Sequence, residues 1–162
     1  MDKHIVKVGI SDMNVVQGPD LIRTAGLGSC VGVVLYDDIL KVAGLAHIML
    51  PDSRHVKESF NRAKYADTAI IDLIEMLVHL GVNKRRLCAK IAGGAQMFQF
   101  TSNNDFMKIG ARNIIAVEQE LKQHHIRLIS KDVGGTNGRT IEFDPTTSRL
   151  MVRTVNKGVV EI

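Results

Sequence analysis

Two side chains that could perform nucleophilic chemistry, a cysteine and a histidine, lie on either side of one predicted turn. Cys30 follows a glycine-rich stretch and precedes an apolar run, and His47 lies within the next apolar run. A thiol with an ordinary pKa of about 8.5 is only a few per cent ionised at neutral pH, so a nucleophilic cysteine needs a base beside it. An imidazole can accept the thiol proton and later donate it to a leaving group. The two residue types together predict thiol-dependent covalent catalysis.

The stretch that ends at the cysteine, Thr24-Ala-Gly-Leu-Gly-Ser-Cys30, contains two glycines and two hydroxyl side chains. Glycines allow backbone N–H groups to approach a substrate closely, because no side chain blocks them. We expect the N–H groups around Gly28 and Ser29 to stabilise an oxyanion. The hydroxyl of Thr24 is a candidate for orienting the imidazole of His47.

A structural role is the alternative for each of these residues, and spacing alone leaves both alternatives open. A free cysteine is commonly a small buried residue, and a histidine in an apolar strand can be part of the core. The second thiol, Cys88, lies within a strand-like run and is expected to be buried. Cys30, in an open loop beside a base, is therefore predicted to be the more reactive thiol.

The elements that must position the pair are two β-branched and aliphatic runs, 31–36 and 42–49, separated by Asp37-Asp38. This pattern predicts an antiparallel hairpin. The outer ends of two such strands meet at the open end of the hairpin, so Cys30 and His47 are both expected there.

The rest of the chain predicts two helices and about five more strands. Apolar residues at helical spacing predict one helix from about Ala66 to Leu80, ended by Gly81, and another from about Asn113 to His124. Five further runs are predicted to be strands, 5–10, 87–92, 126–133, 140–143 and 150–154, and the glycine-rich stretch 134–138 is predicted to be a hairpin turn. Clustered strands with few helices favour an α+β fold with largely antiparallel sheets.

Composition excludes several classes of protein. The 162 residues fit a single domain spanning 1–162, with 45% hydrophobic and 23% charged residues and a net charge of +4. With 4% aromatic residues and no Trp, a base-stacking surface for nucleic acid is not expected. There is no apolar run of about 18 residues to insert into a membrane, and two cysteines form neither a disulfide framework nor a zinc site. We expect a cytoplasmic protein without cofactor or metal.

Five short segments, in this order, resemble the CheD family of bacterial chemoreceptor glutamine deamidases. They are Leu27-Gly-Ser-Cys30-Val31, Ala46-His47-Ile-Met-Leu-Pro51, Lys64-Tyr65-Ala-Asp67-Thr-Ala69, Gly93-Gly-Ala95-Gln-Met97 and Asp132-Val-Gly-Gly-Thr-Asn-Gly-Arg139. The resemblance implies a layered α/β/β sandwich with two main helices. It also implies that Cys30 is the nucleophile, that His47 is its base and that Thr24 assists the histidine.

The resemblance implies a substrate, partners and a reaction. The substrates would be glutamines on the cytoplasmic helical region of methyl-accepting chemotaxis receptors, and a CheC-type phosphatase would compete with the receptors for binding. Deamidation through a thioester would convert glutamine to glutamate, and the same chemistry would accept a glutamyl methyl ester. The alternative function is a binding module that acts mainly by docking receptors and the phosphatase.

A further candidate lies before the second helix, where Phe106, Met107 and Ile109 stand among Ser, Asn and Asp residues. These apolar side chains either pack under the helix or form an exposed anchor, since aromatic residues and Met are favoured at interface centres. On the second interpretation, Phe106 is predicted to contribute to docking a CheC-like protein or a receptor helix.

Overall fold

The computed structural model describes residues 2–97 and 108–162, and in them it shows two α-helices and ten strands. The helices are α1 (Ala66–His79) and α2 (Ile109–Gln123). The strands are β1 (Ile5–Val8), β2 (Met13–Gln17), β3 (Leu21–Leu27), β4 (Val31–Asp37), β5 (Val42–Ile48), β6 (Cys88–Gly93), β7 (Arg127–Val133), β8 (Arg139–Asp144), β9 (Arg149–Thr154) and β10 (Gly158–Glu161).

The strands form two five-stranded sheets. The central sheet has the order β2-β5-β4-β6-β7, and the outer sheet has the order β1-β3-β8-β9-β10. Only the pairs β1–β3 and β6–β7 are parallel among the described strands. The predicted α+β class with largely antiparallel sheets is confirmed.

Each face of the central sheet buries a different apolar cluster. Alternate residues of β4, namely Val31, Val33 and Leu35, pack with the apolar stripes of α1 and α2. The residues between them, including Val34 and Tyr36, pack against the outer sheet. Alternation thus produces the three layers, helices, central sheet and outer sheet, because successive side chains of a strand point to opposite faces.

The hairpin predicted to carry the cysteine and the histidine is confirmed as β4 and β5. Its register pairs Val31 with Ile48 and Gly32 with His47. The end of α1 is also as predicted, since Gly81 has a φ of +98° and its N–H bonds to the carbonyl of Val78.

Three strands were missed by the sequence analysis, and one turn was assigned wrongly. The missed strands are the short β2, the exposed β10 and β3, in which a bulge between Thr24 and Leu27 interrupts the pairing. Residues 134–138 do not form a hairpin turn, because β7 lies in the central sheet and β8 in the outer sheet. The glycines carry the chain from one layer to the other.

Helix α2 begins at Ile109, earlier than the predicted start at Asn113. Its first turn lies against the segment that follows β6, where a Cβ on Gly110 would overlap the carbonyl oxygens of Gly94 and Ala95. The glycine that weakens the helical pattern in the sequence is therefore what allows the helix to pack there.

No helix in the described ranges is long and apolar enough to cross a membrane.

Candidate active site

The imidazole of His47 lies between the two sheets and is fully buried. By strand alternation it shares the inter-sheet face of β5 with Ala43 and Leu45. The facing position on β4 is Gly32, and a Cβ there would overlap Ile141 of the outer sheet. His47 is therefore in the layer where residues of both sheets can reach it.

The hydroxyl of Thr24 contacts His47 from the outer sheet. Thr24 Oγ1 lies 2.7 Å from His47 Nδ1 and 2.7 Å from the backbone oxygen of Val8. A carbonyl oxygen can only accept, so the single hydroxyl hydrogen goes to Val8. Nδ1 must then donate its own hydrogen to Oγ1. The neutral imidazole is thereby held as the Nδ1–H tautomer, with the lone pair on Nε2.

That lone pair is available for a proton. His47 Nε2 is buried and has no hydrogen-bond partner in residues 2–97 and 108–162. Burial lowers the pKa of His47 to about 4, because desolvation penalises the charged form. The imidazole is therefore neutral at physiological pH and can act as a base.

Cys30 directly precedes β4 and lies on the same inter-sheet face as His47. It packs in the cluster that includes Val34 and Leu45, and its register position is diagonal to His47, with Val31 opposite Ile48. Diagonal positions lie about 7–8 Å apart, within reach of an imidazole. Burial raises the pKa of the thiol, so both members of the pair are neutral in the resting protein.

The sequence predicts an open Cys30 and a buried Cys88, and both predictions are wrong. Cys30 is 9% exposed, whereas Cys88 is partly exposed at the start of β6. The glycine-rich stretch is not an open loop, because its first part is β3, and only Gly28 and Ser29 lie between that strand and Cys30.

Gly28 and Ser29 differ as candidate oxyanion donors. The Gly28 N–H already bonds to the carbonyl of Gly26 at 3.1 Å. The Ser29 N–H has no partner in the described part of the chain. The candidate donors that remain in this loop are therefore the N–H groups of Ser29 and Cys30.

Two residues beside the loop were not predicted as site residues. Gly93, at the end of β6, has a φ of +112°, and a Cβ there would overlap the carbonyl oxygen of Cys30. Asn113, on α2, is fully buried and donates from Nδ2 to the carbonyl of Ser29 at 2.9 Å. Gly93 lies in one of the segments that carried the family resemblance, but no local signal marked Asn113.

Residues 134–138, the glycine-rich crossover between β7 and β8, form hydrogen bonds to the same region. The Gly134 N–H bonds to the carbonyl of Gly93 at 2.9 Å, and the Gln96 N–H bonds to the carbonyl of Gly135 at 2.9 Å. Arg139, buried beneath the crossover, pairs with Asp132 at 3.0 Å and also donates to the carbonyl of Gly134. Two segments that are distant in sequence thus meet beside Cys30.

Two other features are a possible metal site and the apolar segment before α2. No group of His, Cys, Asp and Glu suited to a metal ion occurs among residues 2–97 and 108–162. Phe106 and Met107 lie outside the described residues, so the docking prediction for Phe106 stays a prediction.

Comparison with known proteins identifies the family. Residues 49–154 match the family model described as CheD chemotactic sensory transduction. This chain belongs to the CheD family. It is 61% identical to the "Chemoreceptor glutamine deamidase CheD" of Halalkalibacterium halodurans, over 98% of both chains. It is 54% identical to the CheD of the same description from Bacillus subtilis, over 95% of this chain and 93% of the relative.

The matched family model begins after Cys30 and His47, whereas these CheD relatives align over nearly the whole chain. A third CheD relative, from Bacillus licheniformis, is 53% identical over 99% of this chain and 96% of its own length. The family resemblance inferred from five short segments is confirmed.

Proposed function

We propose that this protein deamidates glutamine side chains of chemoreceptors, using Cys30 as nucleophile and His47 as base. The observation that carries the proposal is the pair of contacts that Thr24 makes, which hold the Nδ1–H tautomer of His47. His47 Nε2 has no partner among the described residues, and it lies on the face that also bears Cys30. The relatives described as chemoreceptor glutamine deamidases support the substrate class.

The first half of the reaction forms a thioester. Nε2 of His47 accepts the thiol proton as the sulfur of Cys30 attacks the carboxamide carbon of the substrate glutamine. The carbonyl oxygen becomes an oxyanion, which the N–H groups of Ser29 and Cys30 stabilise. The imidazolium then donates its proton to the amide nitrogen, the C–N bond breaks, and ammonia leaves.

The second half hydrolyses the thioester. His47 accepts a proton from water as the water oxygen attacks the thioester carbon. The C–S bond then breaks, and the sulfur recovers a proton from the imidazolium. The product is glutamate, and Cys30 and His47 return to their neutral forms. A glutamyl methyl ester would follow the same course with methanol as the leaving group.

The buried resting pair fits a general-base mechanism better than a preformed ion pair. Burial raises the pKa of Cys30 and lowers that of His47 to about 4. Each shift opposes a resting thiolate–imidazolium pair. Proton transfer therefore accompanies attack on the substrate.

The partners and location follow from this function. The protein acts in the cytoplasm on the helical signalling region of methyl-accepting chemotaxis receptors. A CheC-type phosphatase is its second partner and competes with the receptors.

The test is deamidation of a purified cytoplasmic receptor fragment, followed by mass spectrometry of its peptides. Wild-type protein should raise the mass of particular glutamine peptides by about one dalton, as NH₂ is replaced by OH. Cys30→Ala should bind the fragment and leave glutamine unchanged, because the nucleophile is absent. Cys88→Ala, the matched control, should retain turnover.

The binding-module alternative predicts a different result. If Cys30→Ala cells keep the full chemotaxis phenotype, catalysis is dispensable and docking is the main function. If wild-type protein leaves every glutamine of the fragment unchanged, the deamidase proposal is wrong.

The proposed docking role of Phe106 is tested separately. Phe106→Ala should weaken binding to a CheC-type protein or a receptor helix by about 2 kcal/mol or more and leave thermal stability nearly unchanged. A variant that melts several degrees lower and binds normally would show that Phe106 is a core residue.

A further inference from the structure

Three consecutive carbonyls of the nucleophile loop, defined here as Gly28 to Cys30, each accept one hydrogen bond. The Ala95 N–H donates to the carbonyl of Gly28 at 2.8 Å, and the Gly94 N–H donates to that of Cys30 at 2.8 Å. Between them, Nδ2 of Asn113 donates to the carbonyl of Ser29 at 2.9 Å. Only the middle bond is made by a side chain.

Holding a carbonyl also determines where the next N–H points. In a planar trans peptide the C=O and the following N–H point in opposite directions. The bond to the carbonyl of Ser29 therefore aims the Cys30 N–H away from α2. That N–H contacts the residue's own sulfur, which partly offsets the effect of burial on the thiol pKa. It has no other partner in residues 2–97 and 108–162.

Asn113 also joins the nucleophile loop to the strand that carries the base. The same Nδ2 donates to the carbonyl of Met49 at 3.0 Å, just after β5. Both contacts are to carbonyl oxygens, so the amide must present its NH₂ group to them. Asn113 is fully buried on α2, so its side chain is held firmly in this arrangement.

We infer that Asn113 is a positioning residue, which holds the Ser29–Cys30 peptide so that the Cys30 N–H is aimed at the oxyanion of the reaction. This inference rests on the proposed deamidase function. Asn113 touches neither the substrate nor the reacting atoms in this role. It acts through the peptide group that it holds.

This role predicts a particular kinetic signature. An oxyanion develops only in the transition state, so a misdirected N–H lowers kcat and leaves KM nearly unchanged. Alkylation of Cys30 by iodoacetamide displaces iodide from a tetrahedral carbon and forms no oxyanion. Its rate should therefore depend on Asn113 much less than kcat does.

The experiment measures ammonia release from a purified chemoreceptor cytoplasmic fragment and iodoacetamide labelling of Cys30 by mass spectrometry. For Asn113→Ala, kcat should fall about 10- to 100-fold, somewhat less than the loss seen when an oxyanion donor itself is removed. KM should stay within about threefold and the Cys30 labelling rate within about twofold of wild type.

The matched control is Thr68→Val, which removes another buried side-chain bond to a backbone carbonyl. Thr68 Oγ1, at the start of α1, donates to the carbonyls of Arg62 and Tyr65 and bonds to none of the residues Gly28 to Cys30. This variant should lose stability and keep kcat within about twofold. If Asn113→Ala does not fold, Asn113→Ser is measured in its place, since the smaller hydroxyl leaves room for a water.

Several outcomes would overturn the inference. One is a kcat for the Asn113 variant that matches the Thr68→Val control. Another is faster labelling of Cys30, which would show that the site has loosened and exposed the thiol. A third is failure of both Asn113 variants to fold, which would show that Asn113 is needed for stability. If wild-type protein itself releases no ammonia, the proposed function is wrong as well. An active wild type with an equally active Asn113→Ala overturns the inference alone.

Discussion

The hydroxyl of Thr24 has one hydrogen and two neighbours, and this determines the protonation of His47. Because the hydrogen goes to the carbonyl of Val8, the hydroxyl oxygen accepts from Nδ1 of the imidazole. The second ring nitrogen is left with its lone pair in a buried site. In the proposed mechanism, Thr24 takes the orienting role that a carboxylate takes in other nucleophile–base–orienter sites, without adding a buried negative charge.

Thr24→Val tests this orienting role. Valine keeps the shape of the side chain but leaves Nδ1 and the carbonyl of Val8 unpaired, so the tautomer is no longer imposed. A lost hydrogen bond is worth about 1 kcal/mol or somewhat more, so turnover should fall roughly tenfold or more. Deamidation kinetics provide the measurement, with Thr68→Val as the control for loss of a buried hydroxyl. Activity within about twofold of wild type would remove Thr24 from the site.

His47→Gln tests the pairing of base and thiol. The glutamine side chain is polar but cannot accept the thiol proton as a base, so alkylation of Cys30 at neutral pH should slow by about tenfold or more. Cys88 is more exposed than Cys30 and serves as the internal control, with an unchanged labelling rate. Peptide mass spectrometry of both thiols gives the two rates. An equal Cys30 rate in the two proteins would show that His47 is not its partner.

Among the secondary-structure elements, the end of β6 packs closely against Cys30. The Gly94 N–H bonds to the carbonyl of Cys30, and Gly93 pairs with Val31 at the start of β4. The left-handed φ of Gly93 turns the chain at this point, and the absence of a side chain lets it pass against Cys30. Glycine is therefore required here by both the backbone conformation and the close approach.

Gly93→Ala should disturb the site strongly. The added methyl group would overlap the carbonyl oxygen of Cys30, and the positive φ costs about 1 kcal/mol or more in addition. We expect a clear loss of thermal stability and a large loss of turnover. Gly9→Ala is the matched control, because a Cβ at Gly9 would meet nothing within 4 Å. Similar melting temperatures and activities for the two variants would contradict this account.

At the scale of the whole molecule, the layered packing places an ionisable group in the core. His47 lies between two sheets, and its pKa of about 4 in the folded protein compares with 6.5 in an ordinary environment. The unfolded chain therefore binds a proton between these values that the folded protein does not. The free energy of unfolding therefore keeps the full contribution of this effect above the pKa of the unfolded chain. It must decrease as the pH falls from that value towards the pKa of the folded protein.

The pH dependence of unfolding measures this effect. Between pH 7 and pH 5 the histidine should reduce the free energy of unfolding by about 2 kcal/mol, because protonation favours the unfolded chain. His47→Gln has no such group and should show a smaller decrease over the same range. Urea denaturation of both proteins at the two pH values gives the comparison. Equal decreases would mean that His47 titrates normally in the folded state.

Several parts of this protein depend on local order and can be predicted from the sequence. The hairpin of β4 and β5, the helix ending at Gly81 and the candidate pair Cys30 and His47 could be predicted, because strand alternation, helical spacing and turn residues act between near neighbours. A strand with a bulge, such as β3, does not keep the alternating pattern along its length. The sequence therefore predicts a loop for the stretch that contains Thr24.

The way in which these parts meet depends on packing between residues that are distant in sequence. The burial of Cys30 and the greater exposure of Cys88 depend on how the two sheets stack. Asn113 reaches the carbonyl of Ser29 across a sequence separation of 84 residues. A contact between residues so far apart in sequence produces no periodic pattern of residue types, because it forms only when α2 has packed on the central sheet.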